Sequence, residues 1–265
     1  AEVWLQITGR QPQLMARISN FAPVDADFSA DSTQIAYIDE RSGVWLNVVE
    51  EDAPQLLRAN GDETYRRPQF SPDGSRLLLD VYTQGAGIIT GVLDLTSREL
   101  VTSQLTSDDD PRPIRTRWLR DGRIYTYVDA STPSSFPLGF YILDPANLAG
   151  SPQWIALAEG EVIRSTVEAV PGMIRAVLAE GTSAFAPLRV VDFDLTTGAN
   201  TPILEIGSLI APRISPDGRF VGGYESLTQI DGIQQGAITV IDLQSGQRFQ
   251  LSNPASAWGF RWGES

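Results

Sequence analysis

Short apolar runs recur along the chain, each bounded by turn residues. The run Arg76-Leu77-Leu78-Leu79-Asp80-Val81-Tyr82 places apolar residues on both faces of an extended segment. A glycine-containing loop follows, then Ile88-Ile89-Thr90-Gly91-Val92-Leu93-Asp94-Leu95, a turn over Thr96-Ser97-Arg98-Glu99, and Leu100-Val101-Thr102-Ser103-Gln104-Leu105. Together with Pro68-Gln69-Phe70 upstream, this predicts four antiparallel strands with short connections, labelled a to d from the N-terminal side. No segment sustains an i, i+3, i+4, i+7 apolar pattern, so helices are not expected. Strands that are apolar on both faces require cover on both faces.

The punctuation between the runs repeats. Phe70-Ser71-Pro72-Asp73-Gly74 returns as Ile214-Ser215-Pro216-Asp217-Gly218, with a weaker copy at Phe28-Ser29-Ala30-Asp31-Ser32. Proline presets φ, aspartate bonds the local backbone, and glycine accepts positive φ, so each copy reads as the turn between strands a and b. Phe28 and Phe70 are 42 residues apart, and Phe70 and Ile214 are 144 apart, which is three steps of 48. Degenerate copies are therefore expected near 118 and 166. Trp118-Leu119-Arg120-Asp121-Gly122 fits the first, while Val167 followed by Val170-Pro171-Gly172 keeps only a turn. A second marker agrees: strand c ends on Asp94, Asp144, Asp194 and Asp242, spaced 50, 50 and 48 residues apart. These aspartates read as c–d hairpin turns.

Four-stranded repeats of this length predict an all-β fold, a six-bladed β-propeller in one domain spanning residues 1–265. The repeats run approximately over 24–60, 66–107, 113–157, 162–206 and 210–253. Residues 2–17 align with 43–58, which are strands c and d of the first repeat, and Ser256-Ala257-Trp258-Gly259-Phe260-Arg261-Trp262 reads as a strand a. The closing blade is thus expected to combine 254–265 with 1–20, one strand short. Three arrangements satisfy that count: a three-stranded closing blade, a sequence trimmed from a longer chain, or an open ring.

Composition then narrows the chemistry. Of the 265 residues, 33 are acidic and 20 basic, for a net charge of −13. That balance argues against a general nucleic-acid binder and against docking on anionic headgroups. Every basic residue is arginine, and there is no Cys, His or Lys. Ser-His-Asp, Cys-His and Ser-Lys catalysis, Schiff-base chemistry, a P-loop lysine and zinc sites built on His or Cys are therefore excluded. No apolar run is long enough for a membrane-spanning helix, and residue 1 opens no signal peptide.

Val44-Trp45-Leu46 with Pro54-Gln55-Leu56-Leu57, followed by Arg67-Pro68-Gln69-Phe70-Ser71-Pro72-Asp73-Gly74-Ser75-Arg76-Leu77, resembles the repeat of TolB-type, WD-like bacterial β-propellers. The likeness covers the whole chain in strand order and is weakest in the repeats near 113 and 162. It implies a non-catalytic scaffold for a protein or peptide partner, in the periplasm or elsewhere in the cell envelope; separately, no cofactor and a monomer are expected. The same family supplies gating propellers of peptidases, which gives an alternative role beside a catalytic domain absent from this sequence.

Candidate sites follow from the strand-a positions. Arg66, Arg67, Arg115, Arg117, Arg164, Arg213 and Arg261 lie on or just before strand a, the innermost strand of a blade. Six of them (Arg67, Arg115, Arg117, Arg164, Arg213 and Arg261) are the candidate ligand-binding set, an electropositive funnel for a carboxylate or an acidic peptide. The competing reading pairs each with an acid. Asp25, Asp27 and Glu168 are the acids placed for a carboxylate-based glycosidase, the least favoured function. Asp108-Asp109-Asp110 reads as a solvated loop, and no metal site is expected. Trp4, Trp45, Trp118, Trp154, Trp258 and Trp262 read as inter-blade packing. The longer b–c loops, 129–138 and 226–236, are the expected partner-facing segments.

Overall fold

A computed structural model describes residues 2–5, 13–17, 25–39, 41–48, 54–59, 61–83, 87–103, 116–131, 136–225, 228–230 and 233–256. Twenty-three strands and no helix occur among them. The first hairpin is β1 (Glu2–Leu5) with β2 (Gln13–Arg17). The first four-stranded sheet holds β3 (Ala26–Phe28), β4 (Gln34–Ile38), β5 (Val44–Val48) and β6 (Gln55–Arg58) in sequence order. The second holds β7 (Glu63–Phe70), β8 (Arg76–Thr83), β9 (Gly87–Asp94) and β10 (Leu100–Thr102). The third holds β11 (Arg117–Trp118), β12 (Ile124–Val128), β13 (Gly139–Leu143) and β14 (Gln153–Ala156). The fourth holds β15 (Glu161–Val170), β16 (Met173–Glu180), β17 (Leu188–Asp194) and β18 (Asn200–Gly207). The fifth runs β19 (Ile210–Ile214), β20 (Phe220–Tyr224), β22 (Ile233–Asp242), with β21 (Thr228–Ile230) and β23 (Arg248–Ser256) both on β22.

The chain divides into two compact units, one built mainly from residues 1–127 and the other mainly from 154–265.

The apolar pattern explains the layering. Second and third strands are buried almost throughout: β4, β8, β13 and β20 each carry runs of four or five consecutive buried residues. Fourth strands such as β14 and β18 expose most of their residues, and β6 exposes half. In the first unit one core cluster joins Ala36, Ile38, Val44 and Leu46 of the first sheet to Tyr65, Phe70, Leu77, Leu79 and Val81 of the second. In the second unit Val177, Val190 and Ile206 pack with Ile214, Val221 and Ile241. Each cluster thus fills the gap between successive sheets, as the two-faced strands require.

First strands of successive sheets are also stitched directly. In the first unit the Phe70 N–H donates to Asp27 Oδ2 at 2.8 Å, and Trp118 Nε1 donates to the Gln69 carbonyl at 3.0 Å. In the second, Ile214 N–H donates to Ser165 Oγ at 3.2 Å. Pro68 and Pro212, each preceded by a residue at positive φ (Arg67 at 49°, Ala211 at 50°), fall in register shifts of these first strands. Such bulges turn side chains out of the regular alternation.

The turn chemistry read from the sequence is present. Ser71 Oγ donates to Asp73 at 2.6 Å, Asp73 accepts the Ser75 N–H, and Gly74 sits at φ 71°. These bonds hold the Asp73 carboxylate down at about 2, the Ser71 hydroxyl contributing most. Ser215, Asp217 and Gly218 repeat the arrangement. In the weakest repeat the Gly172 N–H bonds Glu168 instead. Asp94, Asp144, Asp194 and Asp242 all accept backbone N–H groups two residues on, as hairpin-turn residues do. One expectation changes: 226–236 is not simply a loop, because Thr228–Ile230 pairs with β22 from Ile233 onward.

Candidate functional site

The arginine set divides by what each guanidinium meets. Arg115 and Arg261 lie outside the described residues, as do the Asp108-Asp109-Asp110 run and Trp258 and Trp262. Arg117 is exposed on β11, opposite Tyr125, and Arg213 is exposed on β19, opposite Gly222.

Arg67 is drawn into its own sheet. Its bulge position aims the side chain at β8, where Arg67 Nε donates to Asp80 Oδ2 and Nη2 contacts the same oxygen. Asp80 belongs to a compact charged group of the first unit that also contains Asp25, Arg66 and Tyr82. Burial raises the Asp80 carboxyl to about 6, against the pull of Arg67; Asp25 adds to the rise and Arg66 opposes it. Burial also raises Asp25, countered by Arg66 and by the Arg67 backbone N–H. The exposed Arg66 guanidinium lies over the Tyr82 ring, 5.0 Å from its centroid.

Arg164 occupies the equivalent bulge in β15. Its Nη2 reaches the carbonyls of Gly181 (3.3 Å) and Ser183 (2.8 Å). Those residues open the loop 181–187 between β16 and β17. Ser208 Oγ donates to the Phe185 carbonyl at 2.8 Å, and the Gly181 N–H donates to Gly160 at 2.8 Å. Ala186 is buried at the far end of the loop, while Phe185 between these anchors is 67% exposed. Beside it, Glu161 pairs with Arg189 and accepts the Ala158 N–H.

The acids placed for glycosidase chemistry hold backbone. Asp27 accepts the Phe70 N–H, Glu168 the Gly172 N–H, and Asp25 is 5% exposed within the charged group. Among the tryptophans with described side chains, Trp118 packs with Leu78, Val92 and Ile124 between sheets. Trp45 stacks beside Tyr37 with its indole N–H on Asp39. Trp154 departs from the packing role, being 48% exposed on β14.

Two features escaped the sequence reading. The pairing of Arg67 with Asp80 depends on a bulge whose local sign is a residue before proline. The loop 181–187 is shorter than those singled out, and its sign is one large aromatic in a turn of small residues.

No protein-family model matches the chain, and no curated protein matches it in sequence. Solved structures do resemble it. An oligogalacturonate lyase in complex with manganese superposes with a TM-score of 0.70 at 10% identity, covering 94% of this chain and 70% of the lyase. TolB from Acinetobacter baumannii gives 0.58 at 20% identity, over 96% of this chain and 60% of TolB. A puromycin-hydrolyzing peptidase of Mycobacterium tuberculosis gives 0.57 at 17% identity, over 91% of this chain and 40% of the peptidase. The chain therefore spans less than two thirds of the length of the TolB protein and the peptidase. At these identities the likeness is one of fold, shared by proteins of different activity. With its repeated antiparallel four-stranded sheets, the chain carries the fold of TolB-type β-propellers.

Proposed function

We propose that the chain is a six-bladed propeller that binds a protein or peptide partner without catalysing a reaction; its last blade joins residues 1–20 with the part of 254–265 that follows β23, since 254–256 extend the fifth sheet. The β1–β2 hairpin supports the closing blade: Trp4 faces Leu14 as Trp45 faces Leu56, each across a register shift at the preceding residue. The cell envelope is the setting suggested by the TolB-type fold, and the chain is proposed to act there as a monomer. A gating role beside a peptidase domain is the alternative, favoured by the fold likeness to the mycobacterial enzyme.

The observation that carries partner binding is Phe185. Phe185 offers a large aromatic surface, two-thirds exposed, that a partner can bury, and its loop is tied down on both sides by Arg164 and Ser208. Pre-ordering an aromatic anchor removes part of the entropy cost of association, as at interface hot spots. Arg164 thereby becomes a positioning residue and not a funnel ligand. The test is selection of displayed peptides on the intact protein, followed by binding to the Phe185→Ala variant. Selected peptides should lose about tenfold or more in affinity, as truncated aromatic anchors do, with the urea midpoint unchanged. Peptides indifferent to the substitution would refute Phe185 as the anchor.

A further inference from the structure

The Arg175–Asp192 and Arg67–Asp80 pairs each join adjacent strands, and they are built differently. Arg175 meets Asp192 in a fork: Nε donates to Oδ1 at 2.7 Å and Nη2 to Oδ2 at 2.6 Å, while Nη1 donates to the Gly218 carbonyl at 2.7 Å. Every face of that guanidinium is used, and its side chain is 19% exposed. Arg67 instead crowds Nε and Nη2 onto the one oxygen Asp80 Oδ2. Its Nη2 is buried and finds no aligned acceptor among the described residues. A guanidinium left with an unmatched donor favours any oxyanion that offers both oxygens.

The exposures set which partner can change. The Asp80 side chain is 5% exposed and cannot leave β8, but that of Arg67 is 32% exposed and can turn outward to present its fork to a solute. Arg67 also stands at φ 49° in a bulge, with no ladder bond from Pro68 to hold its neighbour in register. Around Asp80 stand Asp25 ahead of β3, Arg66 and Arg67 on β7, Tyr82 on β8 and, across the ladder, the neutral Thr90 on β9.

We propose that Arg67 is a carboxylate-binding residue held in reserve by Asp80: a carboxylate ligand takes the guanidinium fork, and Asp80 takes up a solvent proton as it gives up its counter-ion. Exchange keeps the charge of the site constant, since one carboxylate leaves the ion pair as another enters. It is favoured in acid, because burial already brings Asp80 to the edge of protonation near neutrality. This site is independent of the Phe185 loop, and either can fail without the other.

The probe is trifluoroacetate, a carboxylate whose own charge is constant over the range, followed by 19F NMR at fixed ionic strength. With Asp80 titrating at about 6, roughly nine-tenths of molecules carry its proton at pH 5.0 and about one in thirty at pH 7.5, giving an apparent dissociation constant about thirtyfold lower in acid. Asp80→Asn should bind at both pH values with the acid-form affinity, and Arg67→Gln weakly at both. An equal pH ratio in wild type and Asp80→Asn would overturn the proposal, since the protein's overall charge would then explain it. The carboxyl 13C resonance of Asp80 in the unsubstituted protein gives a second readout that needs no variant. Reciprocal linkage requires saturating trifluoroacetate to raise its midpoint; a midpoint that the ligand leaves in place refutes the exchange.

Discussion

Asp80 makes a quantitative prediction for stability as well as for binding. The group titrates at about 6 in the folded chain and at 3.8 when unperturbed, the rise coming first from burial. The folded state therefore holds the proton more tightly than the unfolded state. A carboxyl shifted in this direction contributes stability that is complete below 3.8 and is lost as pH rises through 6. The whole effect is about 3 kcal/mol, from a shift of about two units at 1.36 kcal/mol each. Urea unfolding at pH 5.0 and 8.0 samples about half of it, ~1.4 kcal/mol, while staying above the isoelectric point near 4.4, where solubility is least. Asp80→Asn keeps the shape and removes the titration. The stability loss from pH 5.0 to 8.0 should be ~1.4 kcal/mol larger in wild type than in the variant. Other carboxylates titrate alike in both proteins and cancel in that difference. A difference near zero, or a variant that loses more than wild type, would refute a buried, raised Asp80.

Three further substitutions separate the structural devices. Arg175→Gln strands the buried Asp192 carboxylate and the Gly218 carbonyl, so urea unfolding should show a loss of about 3 kcal/mol. Gly74 and Gly218 hold the same turn position at φ 71° and 74°, but an added Cβ meets nothing within 4 Å at Gly74 and lies 2.9 Å from Ala169 Cβ at Gly218. Both alanine variants should lose about 1 kcal/mol to the backbone, and Gly218→Ala roughly 1–2 kcal/mol more, in parallel thermal melts. Gly139→Ala would place its Cβ 2.3 Å from the Ile155 carbonyl oxygen and 2.4 Å from Trp154 Nε1, so circular dichroism should show a markedly lower melting temperature, not a mild shift.

The fold was legible because its signals are local. Ser71, Asp73 and Gly74 build their turn from bonds between residues at most five apart, so the pentapeptide alone announces it. Asp94 and Asp194 likewise close their hairpins through their own neighbours. Even the degenerate fourth repeat kept its turn, with Glu168 supplying the acceptor that the missing serine and aspartate would have given. The site was less legible because it depends on where strands shift register. Arg67 and Asp80 are 13 residues apart, and only the bulge between Arg66 and Gln69 brings them together. Arg164 carries the same label in the sequence as Arg67, yet its bulge sends it to two carbonyls 17 and 19 residues on. Composition said that the arginines were exceptional in an acidic chain; register decided that one holds an acid and another holds a loop.

Arg164, on the first strand of its sheet, orders the loop 181–187, and in the proposed function the exposed Phe185 of that loop grips a partner. This positioning role is tested most directly by titrating one selected peptide against wild type, Phe185→Ala and Arg164→Gln. Binding should weaken in both variants, including Arg164→Gln, which leaves the Phe185 side chain in place. Arg164→Gln binding the peptide as tightly as wild type does would contradict that role.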